Sequence, residues 1–211
     1  MEGAPTPPAP APQPPAYDPQ AEAAAYPARG EIEHQDEYVR FLPLVKWLLA
    51  IPHLIVLIFL LIGACFAILF AAFGVLFTGR YPQGLFNYVA GVYRWAWRVS
   101  AYFLLMVDPY PPFSLGEHPE YPARIELEYP GEMERWRPFV QWFLAIPVLI
   151  VAGILRNLAQ LLAFFALFTI MLTKRYPRGM FELAKVAMRW QLRTNAYAHF
   201  IATRYPPFVW A

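Results

Sequence analysis

The sequence predicts an all-α membrane protein made of two tandem copies of one unit. Three observations carry that reading: the chain repeats itself, it is too apolar for water, and its apolar stretches recur at fixed places in the repeat. Residues 26–115 align with residues 121–210 at a constant offset of 95 positions, with no insertion or deletion. The alignment pairs Tyr26-Pro27-Ala28-Arg29 with Tyr121-Pro122-Ala123-Arg124, and Ala50-Ile51-Pro52 with Ala145-Ile146-Pro147. It also pairs Tyr110-Pro111-Pro112-Phe113 with Tyr205-Pro206-Pro207-Phe208. About 40% of the paired positions are identical, so the chain is a duplication and any reading has to serve both copies.

Composition identifies the solvent. Hydrophobic residues make up 58% of the chain and charged ones 15%, against roughly 25% charged in a soluble domain. The net charge of +2 is too small for a nucleic-acid partner, and the basic residues flank apolar stretches instead of forming a stripe. Cys65 is the only cysteine and lies inside an apolar run. Neither a disulfide framework nor a metal cluster is expected, and no cofactor.

Residues 1–25 hold eight prolines among alanines and read as a disordered tail of polyproline character. The tail lacks the basic start and apolar core of a signal peptide, so it is expected to stay on the chain, in the cytoplasm. It serves either as a spacer or as a ligand for an aromatic groove on a protein partner. Repeat 1 then covers 26–115, a linker 116–120, and repeat 2 121–211.

Each unit opens with a polar stretch. Residues 123–129 alternate apolar and charged side chains at the period of a half-buried strand, and 29–34 keep a weaker version. Pairing across the repeats would give a small ribbon, marginal by itself.

The apolar segment follows. From Trp47 to Phe77 there is no charge, and 31 residues of helix reach about 46 Å against a hydrocarbon core of about 30 Å. The second copy places Arg156, Asn157 and Gln160 at the midpoint, where the first has Gly63 nearby. In one continuous crossing Arg156 would sit near the bilayer centre, at about 2.5–3.5 kcal/mol. In a hairpin these residues form the turn, and 16 of the 17 Lys and Arg residues fall on one side. The positive-inside bias therefore favours a kinked hairpin of two short helices with both termini cytoplasmic, although its second arm covers only about 22 Å. A single crossing is the alternative. Pro52 and Pro147 are expected to kink the first arm. His53 reads as a satisfied imidazole or a proton relay, and its counterpart is Val148.

The second arm ends in Thr78-Gly79-Arg80-Tyr81-Pro82 and again in Thr173-Lys174-Arg175-Tyr176-Pro177. Cation, tyrosine and proline suit a membrane interface, with the tyrosines at headgroup depth. From Leu85 to Met106, and from Met180 to Ala202, helical spacing gives an amphipathic, interfacial helix. Arg94 with Arg98, and Arg189 with Arg193, lie four residues apart on its polar face and point to lipid phosphates or to plain snorkelling. Together with Arg80 and Arg175 they are the candidate lipid-binding residues.

The run Tyr110-Pro111-Pro112-Phe113-Ser114-Leu115, the stretch Tyr121 to Pro130, the block Leu49-Ala50-Ile51-Pro52-His53-Leu54-Ile55-Val56 and the run Leu76 to Pro82 ahead of Gly84-Leu85-Phe86 have a joint resemblance. In order and in two copies, they resemble the bacterial membrane family catalogued as domain of unknown function 4389. The second copy departs from the pattern at Val148, Lys174 and Arg156-Asn157. The resemblance implies an integral membrane protein and brings no catalytic residues.

No nucleophile elbow, paired intramembrane acids, metal-spaced histidines or phosphate loop is present, so an enzyme is not expected. The favoured function is membrane organisation or scaffolding through anionic headgroups. A small transporter or channel built from parallel repeats is the alternative, and a homo-oligomer is open.

Overall fold

The computed structural model describes residues 18–209. Seven elements follow one another: α1 (Pro19–Ala24), β1 (Ala28–Ile32), α2 (Leu42–Thr78), α3 (Gln83–Phe103), β2 (Ala123–Leu127), α4 (Arg137–Thr173) and α5 (Arg178–Ala198). The proline-rich tail lies mostly outside the described residues. Its last part is folded, because Asp18 accepts from the amides of Gln20 and Ala21 and caps α1.

Each apolar segment is one helix of 37 residues. No turn interrupts it at Gly63 or at Arg156-Asn157, and it continues through Pro52 and Pro147. The expected hairpin of two short arms is therefore corrected to a single helix of about 55 Å. The physical reason is local: Arg156, Asn157 and Gln160 are ordinary helix residues, and neither Gly nor Pro stands among them to stop the run. The true stops lie further on. Gly79 and Lys174 close the two helices in the left-handed region at φ 72° and 59°, a conformation that costs lysine more than glycine. Thr78 and Thr173 each donate to the carbonyl four residues back, both at 2.7 Å.

The next helix in each unit turns back along the first. Its end is a Schellman motif without glycine: the amide of Met106 donates to Ala101 O, and that of Leu105 to Tyr102 O, with Leu105 at φ 62°. Phe200 and Ile201 repeat this in the second copy. Burial of Leu105 and Phe200 offsets the backbone cost.

Two buried donors then tie the start of each long helix to the end of the returning one. Lys46 Nζ donates to Val107 O at 2.7 Å and pairs with Asp108 at 2.6 Å. Its counterpart Gln141 donates to Ala202 O at 2.7 Å. Trp47 and Trp142 add the same indole bond one residue later, to Phe103 O and Ala198 O.

The strands cross between the units. Strand β1 pairs antiparallel with β2 in the register Ala28↔Leu127 to Ile32↔Ala123, with Gly30 opposite its own counterpart Ile125. Strand β1, from the first unit, packs on α5 of the second, and β2 packs on α3 of the first. Other joints obey the same exchange. Tyr26 donates to Arg204 O at 3.0 Å and Tyr121 to Pro109 O at 2.9 Å. The Tyr38 amide donates to Lys174 O and the Met133 amide to Gly79 O, both at 2.8 Å. The start of α2 thus lies beside the end of α4, and the start of α4 beside the end of α2. The long helices run antiparallel, related by an approximate two-fold axis through Gly30 and Ile125.

Three layers result. The ribbon and the loops around it cover one side of α3 and α5, and α2 and α4 cover the other. Tyr81 and Tyr176, expected at headgroup depth, are instead fully buried in the core. Most of the long helices' outer surface is exposed and apolar, with Phe59, Phe70 and Phe77 on α2 and Phe139, Phe143 and Leu172 on α4. By length and composition both helices are able to cross a membrane.

Replacing Lys46 with Met should cost about 3–5 kcal/mol, because it strands the Asp108 carboxylate and the Val107 carbonyl. The double change Lys46→Gln with Asp108→Thr imports the second copy's pair, Gln141 and Thr203, and should recover most of that loss. Denaturant melts of the detergent-solubilised protein measure both.

Candidate functional site: an axial cavity beneath a clamped ribbon

The six arginines singled out by sequence fall into two groups. Arg94 pairs with Glu117 at 2.7 Å, and Arg189 with both carboxylate oxygens of Glu31 at 2.7 and 2.8 Å. Arg189 Nε also donates to Gly30 O at 2.8 Å. Arg98 is buried and donates to the carbonyls of Gly116 and Ser114, while buried Arg193 reaches Ala23 O at 3.5 Å. Burial holds both of these guanidinium groups below their ordinary pKa. The arginines of α3 and α5 meet the ribbon and the segments leading into it. Arg80 and Arg175 are different. Both are exposed at the ends of the long helices, Arg80 beside Glu132.

His53 is buried, accepts from Trp95 Nε1 at 3.0 Å and stacks on Phe113 with 3.9 Å between ring centroids. One ring nitrogen is thereby paired, while the other, Nε2, is buried without a hydrogen-bond partner among the described residues. A mixed-sign cleft of about 350 Å³ beside the ribbon holds Arg29, Arg94, Arg98 and Arg124 against Glu31, Glu117 and Glu126.

The larger cavity, of about 720 Å³, lies between the two units and takes its walls from α2, α3, α4 and α5. Leu61 and Cys65 of α2 line it, and so do their exact counterparts at the 95-residue offset, Arg156 and Gln160 of α4. Ala96, Ser100 and Leu104 of α3 are answered in the same way by Gln191, Asn195 and His199 of α5. A cavity lined by equivalent positions straddles the two-fold axis. Its halves differ in chemistry, since the first copy contributes an almost apolar wall and the second a polar one. Among the described residues no carboxylate lines it. The exposed lining residues Leu54, Ile58, Leu61 and Cys65 on α2, with Arg156 and Gln160 on α4 and Ser100 on α3, mark its mouth.

In the expected turn, Arg156 and Gln160 would be separated from α5. The usable signal was their spacing of four, repeated by Gln191, Asn195 and His199 on the next helix. His199 Nδ1 meets the Tyr93 hydroxyl at 2.5 Å, and burial pushes its pKa down to about 4.

The fold and the cavity define a class: a duplicated helical protein with a charged ribbon on one side, an apolar surface on the other and a cavity on its symmetry axis. The chain belongs to the family described as Domain of unknown function (DUF4389), whose model matches residues 43–114 and 135–209. No curated protein and no solved structure matches it.

Because His199 has its pKa lowered in the folded state, its neutral form stabilises the fold fully above the unfolded value of about 6.5. That contribution is lost as pH falls from about 6.5 through 4. Between pH 7 and 4.5 the protein should lose about 2–3 kcal/mol more than the His199→Leu variant, which carries the residue found at Leu104 in the first copy. Parallel denaturant melts at the two pH values give the difference.

Proposed function

We propose that this protein lies in one leaflet of a membrane with α2 and α4 in the membrane plane and the ribbon toward the cytoplasm, and that it organises the surrounding bilayer. The observation that carries the reading is the antiparallel course of the long helices under a charged ribbon that sits on their two-fold axis.

A two-fold body has two symmetric ways to sit in a bilayer. If the axis lies in the membrane plane, α2 and α4 cross the bilayer and the ribbon is held at its centre. Glu31 and Glu126, whose side chains are 63% and 74% exposed, would then face hydrocarbon, at roughly 2.5–3.5 kcal/mol for each acidic residue. Non-helical backbone at that depth is tolerated only where protein or water covers it. If the axis follows the membrane normal, the helices lie flat and every one of these carboxylates meets water. Length supports the second arrangement. A helix of about 55 Å would need a tilt near 57° to fit a 30 Å core, beyond the usual 0–40°.

Flat helices that are apolar on most of their circumference sit deeper than an ordinary interfacial helix and widen one leaflet only. That asymmetry is the basis for an organising, non-catalytic role. Arg80 and Arg175, exposed at the helix ends, suit anionic headgroups in this orientation.

Single cysteines at Arg40, Gln83, Arg135 and Arg178, in a Cys65→Ala background, mark both ends of both long helices. The flat orientation expects an impermeant maleimide to reach none of them in intact cells and all four in inverted vesicles. Labelling of Gln83 and Arg135 without Arg40 and Arg178, or the reverse, would establish crossing helices. Purified protein should also reshape liposomes that contain anionic lipid, and unchanged vesicles would remove the organising role.

A further inference from the structure

We propose that the axial cavity holds one anionic phospholipid, with its phosphate against Arg156 and an acyl chain along the wall built by the first copy. The inference rests on membrane residence but not on which way the long helices lie.

Three features point to this occupant. The first is size, since about 720 Å³ lies within the range of built small-molecule sites, roughly 300–1,000 Å³ and mostly apolar with a few polar groups, which suits a headgroup and one acyl chain and leaves the second chain outside the mouth. The second is charge. Among the described residues that line the cavity, Arg156 is the one ionised group unless His199 is protonated, and none carries a carboxylate to neutralise it. Arg156 also stands in the middle of a long apolar helix, where exposed Ile154 and Leu161 flank the short polar group it forms with Asn157 and Gln160. A cation left there without a counter-charge is costly, and a phosphate offsets that cost. The third is polarity across the cavity. Gln160, Gln191 and Asn195 add amide donors on the second copy's wall, where the first copy has Cys65, Ala96 and Ser100. An amphiphile matches a cavity that is polar on one wall and apolar on the other. A wholly apolar ligand would leave these amides unpaired, and a free anion would leave the apolar wall wet.

Cys65 lines the cavity and is the chain's only thiol, so its alkylation rate reports occupancy without a labelled ligand. The full chain in detergent micelles is offered phosphatidylglycerol or phosphatidylcholine. Native mass spectrometry then counts bound lipid, and N-ethylmaleimide times Cys65. The expected result is one phosphatidylglycerol per chain, held about tenfold more tightly than phosphatidylcholine, with Cys65 alkylated several-fold more slowly when the lipid is bound. Arg156→Gln should remove the tenfold preference and Arg156→Lys should keep most of it. Ala96→Phe fills the cavity at a position where the second copy already carries the larger Gln191, and it should abolish both binding and protection.

Absence of retained phosphatidylglycerol, equal retention of the two lipids, or an unchanged Cys65 rate overturns the proposal. Undiminished binding by an Ala96→Phe variant with a wild-type circular dichroism spectrum does the same. If that variant misfolds, Cys65 protection in the wild-type chain decides alone. Because the assay uses micelles, its failure leaves the in-plane orientation standing, and the maleimide topology experiment is independent of whether the cavity is filled.

Discussion

The exchange of strands between the two copies is the constraint on which the rest of the molecule depends. A ribbon of five residues a side is marginal in water, so β1 and β2 persist because each is held by the helix of the other unit. Arg189 grips Gly30 O and Glu31, the Trp97 indole reaches Glu31 O, and Trp97 and Leu192 close under Gly30, where an added Cβ would lie 2.5 Å from the Trp97 ring. Glycine at this one point lets the ribbon settle onto both helices. Swapping the strands makes the interface isologous, and because the long helices run across its axis the two-fold makes them oppose each other.

From opposed helices the layering follows. The charged segments before and after each strand must run from one end of the long helices to the other, because the chain has to carry the start of α4 to the end of α2. They do so along one side only, where arginines on α3 and α5 receive them. The side left uncovered is apolar over most of its length and is interrupted on α4 by exposed Arg156, Asn157 and Gln160. Exposed apolar surface on this scale has no place in water, and in the proposed orientation it is the surface the lipids cover.

Much of this was legible in the sequence and some was not, for identifiable reasons. The repeat, the ribbon, the helical identity of all four long elements and the membrane-compatible composition each rest on periodicity or offset, which are local signals. The arginine pairs were legible as a helix face but not as to what meets it. Carbonyls 114 and 116 come from a loop nearly twenty residues away, and Glu31 from more than 150. Lys46 escaped notice for a similar reason, since it stands one residue before the uncharged run and its partner Asp108 sits 62 positions on. The hairpin expectation came from pricing Arg156 as though a single helix had to cross the bilayer. Once α4 belongs to a pair with a cavity between its members, the residue has somewhere polar to face.

Divergence between the copies then takes on a direction. In the joints that hold the fold the substitutions conserve the interaction: Gln141 replaces Lys46 and keeps the bond to the same carbonyl, and Phe200 replaces Leu105 in the same left-handed position. Along the cavity the substitutions do the opposite. Leu61 becomes Arg156, Cys65 becomes Gln160, Ala96 becomes Gln191, and Leu104 becomes His199. A symmetric dimer of either unit alone would have a cavity with two like walls, both greasy or both polar. Duplication within one chain removes that restriction, because the two sides of an axial cavity no longer have to be the same. The positions where the copies differ in kind are therefore where a function beyond folding is to be sought, and they surround one space.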